Sequence, residues 1–312
     1  MRNALRAVAG LAIVLLITEA CLRVFFGLGS PPLVYANSQF GYAFQPNQSC
    51  KRFGHRISYN EQGLRSEALR PLAGTAFRIL CVGGSVTNGG APIDQGDTYP
   101  YQLEQILGRR AAVVQVLNAS AVGWGLTNEN GFVQDKGIFQ ARTVVLEVGT
   151  RDLYQEPNPS SIVGADPSLP DHKPSTAIGE VVDRYLLPRI RRRLGDSSSM
   201  PPVWSADSMT QENYDRGFGT LKAMVSLVVH LGAKPILLLT PDREESLKGM
   251  YRADYRKDLS DLAARTNTLL IEMMPAWHAK LSEGRELFRN DVQPNPEGNR
   301  SIAEAVAVVI QR

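Results

Sequence analysis

The chain has 312 residues, 43% hydrophobic and 21% charged, with a formal net charge of +3. That composition excludes a wholly disordered or fibrous chain and accommodates one α/β domain with appendages. The charge excess is too small, and too free of long basic tracts, to argue for a nucleic-acid partner.

At the N-terminus, Arg2 and Arg6 precede the apolar run "AVAGLAIVLLIT", and then "EACLRVFFGLG" leads to Pro31 and Pro32. A basic flank followed by no Lys or Arg between Arg23 and Lys51 fits positive-inside insertion, which puts the rest of the chain outside the cytoplasm. Glu19 and Arg23 stand i,i+4 on a helix and can neutralise each other near the outer interface. The uninterrupted run is shorter than the roughly 20 residues of a spanning helix unless its flank is included, so a cleaved signal peptide is the rival reading. No small-x-small cleavage site follows, which favours an uncleaved anchor over residues 1–30.

Residues 31–76 are polar, aromatic and turn-rich, and read as short strands and turns leading into the domain. From residue 77 the pattern changes. Apolar runs of strand length occupy 77–83, 112–118, 143–149, 234–240 and 267–273. They lack strict alternation, as strands covered on both faces do. Helical patterns intervene at 99–110, with Thr98 as N-cap, and at 214–233. A final helix begins after Asn295, with Pro296 first and Ile302, Val306 and Val309 on one stripe. Alternation of this kind predicts a flavodoxin-like α/β three-layer sandwich around a five-stranded parallel sheet, spanning 77–312. Residues 153–212 interrupt it as an insertion, expected on the carboxyl side of the sheet as a lid or substrate wall. Within it, "RIRRRL" at 189–194 reads as a solvated helix face rather than a lipid or polyanion contact. The three cysteines, Cys21, Cys50 and Cys81, support neither a disulfide framework nor a zinc site.

Ligands of such sheets bind beyond the carboxyl ends of the strands. There the first strand ends in "ILCVGGSVTNGG", presenting Ser85. The loop lacks the GxGxxG of a dinucleotide site and the lysine of a P-loop. Alone, it also fits a plain turn capped by serine. The second strand is followed by "NASAVGWG", the third by "GTRD", and the fifth by "RNDVQPNPEGN".

Together these four blocks resemble the SGNH (GDSL-type) hydrolase family over roughly residues 77–312. The anchor and the "GLRS" segment at 63–66 look like membrane-attached bacterial members of that superfamily. The resemblance implies Ser85 at the nucleophile position, with Gly123, Arg151 and Asp152 in the oxyanion and substrate-binding blocks. It implies no cofactor and no metal. In the family, serine attacks an ester carbonyl, histidine takes its proton, aspartate orients the histidine, and an asparagine helps to hold the oxyanion. In this chain the histidine position is Gln293, the aspartate position is Asn290, and the asparagine position is Arg151. An amide has no useful basicity near neutral pH, whereas a guanidinium still stabilises negative charge.

Two readings follow. One is an extracytoplasmic ester hydrolase, or an O-acyl (acetyl) transferase, acting on a glycan or lipid through Ser85. The other is a non-catalytic relative that binds a saccharide or acidic ligand, with Arg151 as its anchor. A tethered scaffold without a ligand is the plain third option. Asp291 and His172 are candidate replacement bases. His230 reads as packed core, and His278 as a solvent-side or capping residue. Asp242, Glu244 and Glu245 read as acids at a helix N-terminus. The partners implied are a small-molecule or glycan ester and the membrane, with no nucleic acid; protein partners are not legible.

Overall fold

The computed structural model describes residues 1–109, 113–194, 209–251 and 255–311. Residues 195–208 of the expected insertion, and Ala112 at the start of the second expected strand, lie outside the described residues. The chain opens with α1 (Arg2–Phe26), long and apolar enough to cross a membrane and nowhere buried against the body. Two antiparallel hairpins follow: β1 (Val34–Asn37) with β2 (Gly41–Phe44), then β3 (Gln48–Arg52) with β4 (His55–Tyr59).

The α/β body begins with β5 (Phe77–Gly83), α2 (Ser85–Asn88), α3 (Tyr99–Gly108), β6 (Val114–Ser120), α4 (Leu126–Lys136) and β7 (Thr143–Gly149). Next come α5 (Ala177–Glu180), a π-helical turn (Val181–Leu186), α6 (Leu187–Arg193) and α7 (Gln211–His230). The chain finishes with β8 (Lys234–Thr240), α8 (Arg243–Lys248), α9 (Tyr255–Thr266), β9 (Leu269–Glu272), α10 (Met274–Ser282) and α11 (Pro296–Ile310).

Five strands pair in parallel in the order β6-β5-β7-β8-β9, the flavodoxin-like arrangement expected from the sequence. Successive side chains alternate between two cores. Leu80, Val82, Val144 and Leu146 pack with α4, α7, α9 and the hairpins. Ile79, Cys81 and Val145 pack with α3, α10 and α11. Burial on both faces is why these strands appear in the sequence as continuous apolar runs. Strand order reverses between β5 and β7, and their carboxyl ends open the crevice described below. Asn295 accepts from Gly298 N at 2.9 Å, capping α11 as its sequence predicts. Asn299 accepts from Tyr99 N at 3.0 Å, which locks α11 to α3 and holds the preceding loop near β5.

The C-terminal end of α1 is joined to the body. Glu19 accepts from Ala177 N at 2.8 Å and from Ile178 N at 3.0 Å, so α1 supplies the anion at the start of α5. Arg52 and Glu180 form a buried ion pair, Arg52 also donates to Gly27 O at 2.8 Å, and Gly29 N donates to Glu180 at 2.6 Å. The first part of the 153–212 segment thus meets α1 and the β3–β4 hairpin.

Candidate functional site

Ser85 is the first residue of α2, directly beyond the carboxyl end of β5. Gly84 brings the turn against the next loop: a Cβ there would stand 2.8 Å from Trp124 O, so only glycine fits without displacing backbone. The far side of the turn is held by Arg65, which is buried. It donates to Asn88 O at 2.6 Å, Gly90 O at 2.7 Å and Ile93 O at 2.6 Å. Arg65 belongs to the "GLRS" segment, and three carbonyl contacts from one planar fork explain an arginine at that position.

A cavity of about 380 Å³ opens in front of Ser85. All six residues singled out from the sequence line it: Ser85, Gly123, Arg151, Asp152, Asn290 and Gln293. Trp124, Gln155 and Asp291 also reach it. The described part of the 153–212 segment therefore reaches the crevice through Gln155, while residues 175–180 pack at the C-terminal end of α1. A separate cavity of about 770 Å³ lies there, between the α1 exit and residues 161–191, and Ser85 does not line it.

Gly123 has φ +89°, a left-handed value that favours glycine. Both peptide groups around it are fixed. Tyr42 donates its hydroxyl to Val122 O at 2.6 Å, while Gln155 donates to Gly123 O at 2.7 Å, joined by Asn158. In a trans peptide the N–H lies opposite the carbonyl, so the bond to Val122 O sets the direction of the Gly123 N–H. Sequence reading misses Tyr42, Gln155 and Asn158, because they converge from β2 and the insertion only in three dimensions.

Arg151 lies 3.5 Å from Asp242, the N-cap of α8. Asp242 and Glu245 form a capping box, the helix-start role expected for these acids. Asp152 turns its carboxylate back onto Gly149 N at 2.7 Å, closing the loop after β7.

The loop Arg289–Gln293 is closed by a bridge between Phe288 and Pro294. Asn290 organises it, accepting from Val292 N at 3.0 Å and Gln293 N at 2.7 Å. Asn290 also donates Nδ2–H to Gln293 Oε1 at 3.0 Å, and Arg289 donates to the same oxygen. Arginine is donor-only, so the Gln293 atom facing it is the oxygen, and the remaining polar group, Nε2, can only donate. Among the described residues none hydrogen-bonds the Ser85 hydroxyl. No histidine lines the Ser85 cavity. His172 pairs with Asp171 at 2.6 Å, and His278 contacts Ser246 O at 3.0 Å. His230 is exposed at the end of α7 and not part of the core, because the last helical turn carries it past the apolar stripe.

Beneath the Ser85 turn lies a group of acids that periodicity does not reveal. Glu147 on β7 is buried and accepts from Thr240 Oγ1 at 2.5 Å and Thr87 Oγ1 at 3.2 Å. Glu129 on α4 is fully buried, and among the described residues neither of its oxygens has a hydrogen-bond partner. Burial, then the charges of Asp152 and Glu147, pushes Glu129 well above the usual carboxylate range. Burial likewise raises Glu147 and Asp152, each against hydrogen bonds that favour the charged form. Among the described residues, no three His, Cys, Asp or Glu side chains converge as metal ligands do.

The model of a family described as GDSL-like lipase/acylhydrolase matches residues 81–301. No curated protein matches the sequence. Among solved structures, a mutant of Axe2, an acetyl-xylooligosaccharide esterase from Geobacillus stearothermophilus, aligns over 77% of this chain and 96% of its own. The TM-score is 0.50 at 18% identity. A member of the lipolytic G-D-S-L family from Veillonella parvula DSM 2008 aligns over 76% of this chain and 99% of its own. Its TM-score is 0.49 at 15% identity. The first of these likenesses is one of fold.

Proposed function

We propose that this chain, which belongs to the GDSL-like lipase/acylhydrolase family, is a membrane-anchored, extracytoplasmic member that binds an O-acylated or acidic saccharide without serine–histidine–aspartate chemistry. The observation that carries this reading is the state of Gln293. Its oxygen is occupied by Arg289 and Asn290, so the residue expected at the histidine position has only an amide N–H left and no proton acceptor for the cavity it shares with Ser85. A serine hydroxyl without a base is a poor nucleophile. The cavity nevertheless keeps what recognition needs. The fixed Gly123 peptide, the Arg151 guanidinium, the polar Gln155, Asn290 and Gln293 and the carboxyl groups of Asp152 and Asp291 surround it, so a bound carboxylate relies on Arg151 alone for its countercharge. Such a lining suits a hydroxyl-rich, acylated or acidic group better than an alkyl chain.

The retained-anchor part is supported by the contacts of Glu19 with α5 and of Arg52 with Gly27, which a removed signal peptide would not keep. Arg2 and Arg6 ahead of the span support the extracytoplasmic orientation.

A second reading has its own observation: Asp152 shares the cavity with Ser85, and its carboxyl is raised from the ordinary range, as suits a base working near neutrality. Ser85 then acts as a slow acyl acceptor, with Asp152 as proton acceptor. The test treats the folded full chain with a serine-directed fluorophosphonate and measures acetyl-ester hydrolysis beside Ser85→Ala. The binding reading expects wild type and Ser85→Ala to be equal in both. Labelling above the Ser85→Ala level that disappears in Asp152→Asn supports the second reading and overturns the first.

A further inference from the structure

The basic segment at 189–194, read from the sequence as a solvated face, also carries exposed apolar side chains. From Ala177 to Arg193 the chain is helical throughout, with one π-helical turn in the middle. Leu186, Ile190 and Leu194, spaced i, i+4 and i+8, form one stripe and are 48%, 42% and 78% exposed. Arg189, Arg191 and Arg193 flank that stripe and are exposed. Three large apolar side chains in a row, with arginines beside them, are costly in water and suited to a lipid–water boundary.

The position of this helix relative to α1 makes the assignment specific. Phe53, on the exposed turn of the β3–β4 hairpin, donates its N–H to Phe26 O at 3.0 Å, at the last residue of α1. The Phe53 ring meets the Tyr185 ring edge-on, with centroids 6.2 Å apart. Tyr185 immediately precedes Leu186. The C-terminal end of the apolar span, the aromatic pair Phe53 and Tyr185, and the start of the apolar stripe are therefore joined in sequence, Phe26 to Phe53 by a backbone hydrogen bond and Phe53 to Tyr185 by ring contact. Aromatic side chains gather at this level of a bilayer. The Arg52–Glu180 pair and the Glu19 contacts with α5 fix the same junction from the other side.

We propose that the Leu186–Leu194 face, with Arg189, Arg191 and Arg193, is a membrane-surface contact that lies on the bilayer beside the α1 exit and prefers anionic lipid headgroups. It rests on the reading of α1 as a retained anchor. The neighbouring 770 Å³ cavity shares Arg191 with this face but none of Leu186, Ile190 and Leu194, and the proposed contact is the outer face and not the cavity. The contact holds the body in one orientation instead of letting it swing on a tether, and so fixes the height of the Ser85 crevice above the membrane.

The test reconstitutes the full chain in phosphatidylcholine vesicles, with and without phosphatidylglycerol, that contain bromine-labelled lipid. One variant carries Ile190→Trp. A control carries Val308→Trp on α11, exposed on the opposite face of the sheet. The three native tryptophans of the wild-type chain set the baseline. The expected result is flotation of both variants with the vesicles, loss to bromine quenching of most of the emission that Ile190→Trp adds over wild type, and no such loss of the emission added by Val308→Trp. Charge reversal of Arg189, Arg191 and Arg193 to Glu removes the quenching while flotation persists. Flotation without quenching at position 190 overturns the proposal, leaves the anchor standing, and means that the face is covered by protein or by water. Failure to float overturns the anchor reading and the proposal together.

Discussion

Asn290 donates its Nδ2–H to Gln293 Oε1 at 3.0 Å, so the two residues that the sequence comparison expects at the family's aspartate and histidine positions are hydrogen-bonded to each other as a pair of amides. An amide pair of this kind can orient its members but cannot take up a proton near neutral pH. Asn290 also holds the backbone N–H groups of Val292 and Gln293, which makes it the organiser of its loop. Asn290→Ala removes all three contacts. The expected cost is roughly 0.5–1.5 kcal/mol for each hydrogen bond lost in part-exposed surroundings, with faster amide exchange confined to 289–293. Urea unfolding and hydrogen exchange measure both.

Arg151 is the cationic group of the crevice. Arg151→Ala should weaken binding of an acidic or acylated saccharide by about 10–100-fold, the equivalent of one hydrogen bond to a charged group. Titration calorimetry on the full chain reads it. Unchanged affinity removes Arg151 from the ligand site.

Gly123 and Tyr42 act together. Gly123→Ala places a Cβ 2.8 Å from the Tyr42 hydroxyl and forces an L-residue to φ +89°. Strain of roughly 1–2 kcal/mol is expected from the backbone alone, together with loss of ligand binding. Tyr42→Phe relieves the contact but releases Val122 O. It should lower stability by about 0.5–1.5 kcal/mol and weaken binding less than Gly123→Ala does.

Arg65→Met keeps the stem and removes the fork. Asn88 O, Gly90 O and Ile93 O then lose a buried donor, at roughly 1–3 kcal/mol for each carbonyl left without a partner. A lower melting temperature, with the Ser85 turn exchanging its amides faster, is the expected outcome. An unchanged melting temperature contradicts the role assigned to Arg65.

The buried acids make stability depend on pH in an unusual direction. The folded values of Glu129 and Glu147 are raised above the ordinary 4.5, chiefly by burial. Their stabilising contribution is therefore fully present below that value and is lost as pH rises through the folded values, since the native state binds more protons than the unfolded one. Melting temperature should fall between mildly acid and mildly alkaline pH. Glu129→Gln should flatten that slope, by about 1.4 kcal/mol for each unit of elevation removed. A slope that Glu129→Gln leaves intact assigns the effect elsewhere.

Much of the fold is legible in the chain because β5, β7 and β8 are covered on both faces and appear as unbroken apolar runs, matching residue for residue. The second core strand runs Val114–Ser120, shifted from the expected 112–118, because its polar end, Asn118 and Ser120, is buried and hydrogen-bonded, not turned to solvent. Helix α4 escapes periodicity since Glu129 and Asn128, both buried, look like solvent-side residues in the sequence. His230 misleads for the opposite reason: apolar neighbours surround it in sequence, but it ends an exposed turn. At the crevice, the four blocks are legible as motifs. The supports are not, because Tyr42, Glu129, Gln155 and Asn158 reach the site from elements far apart in the chain.

The measurement that tests the central claim most directly is acetyl-ester hydrolysis by the wild-type chain beside the triple variant Asn290→Asp, Gln293→His, Arg151→Asn. With Ser85 and the Gly123 peptide already in place, restoring the acid–base pair should raise hydrolysis on the order of 10²–10⁴-fold above a wild type that is indistinguishable from Ser85→Ala. A wild type that hydrolyses the ester as fast as the triple variant, and loses that activity in Ser85→Ala, contradicts the account.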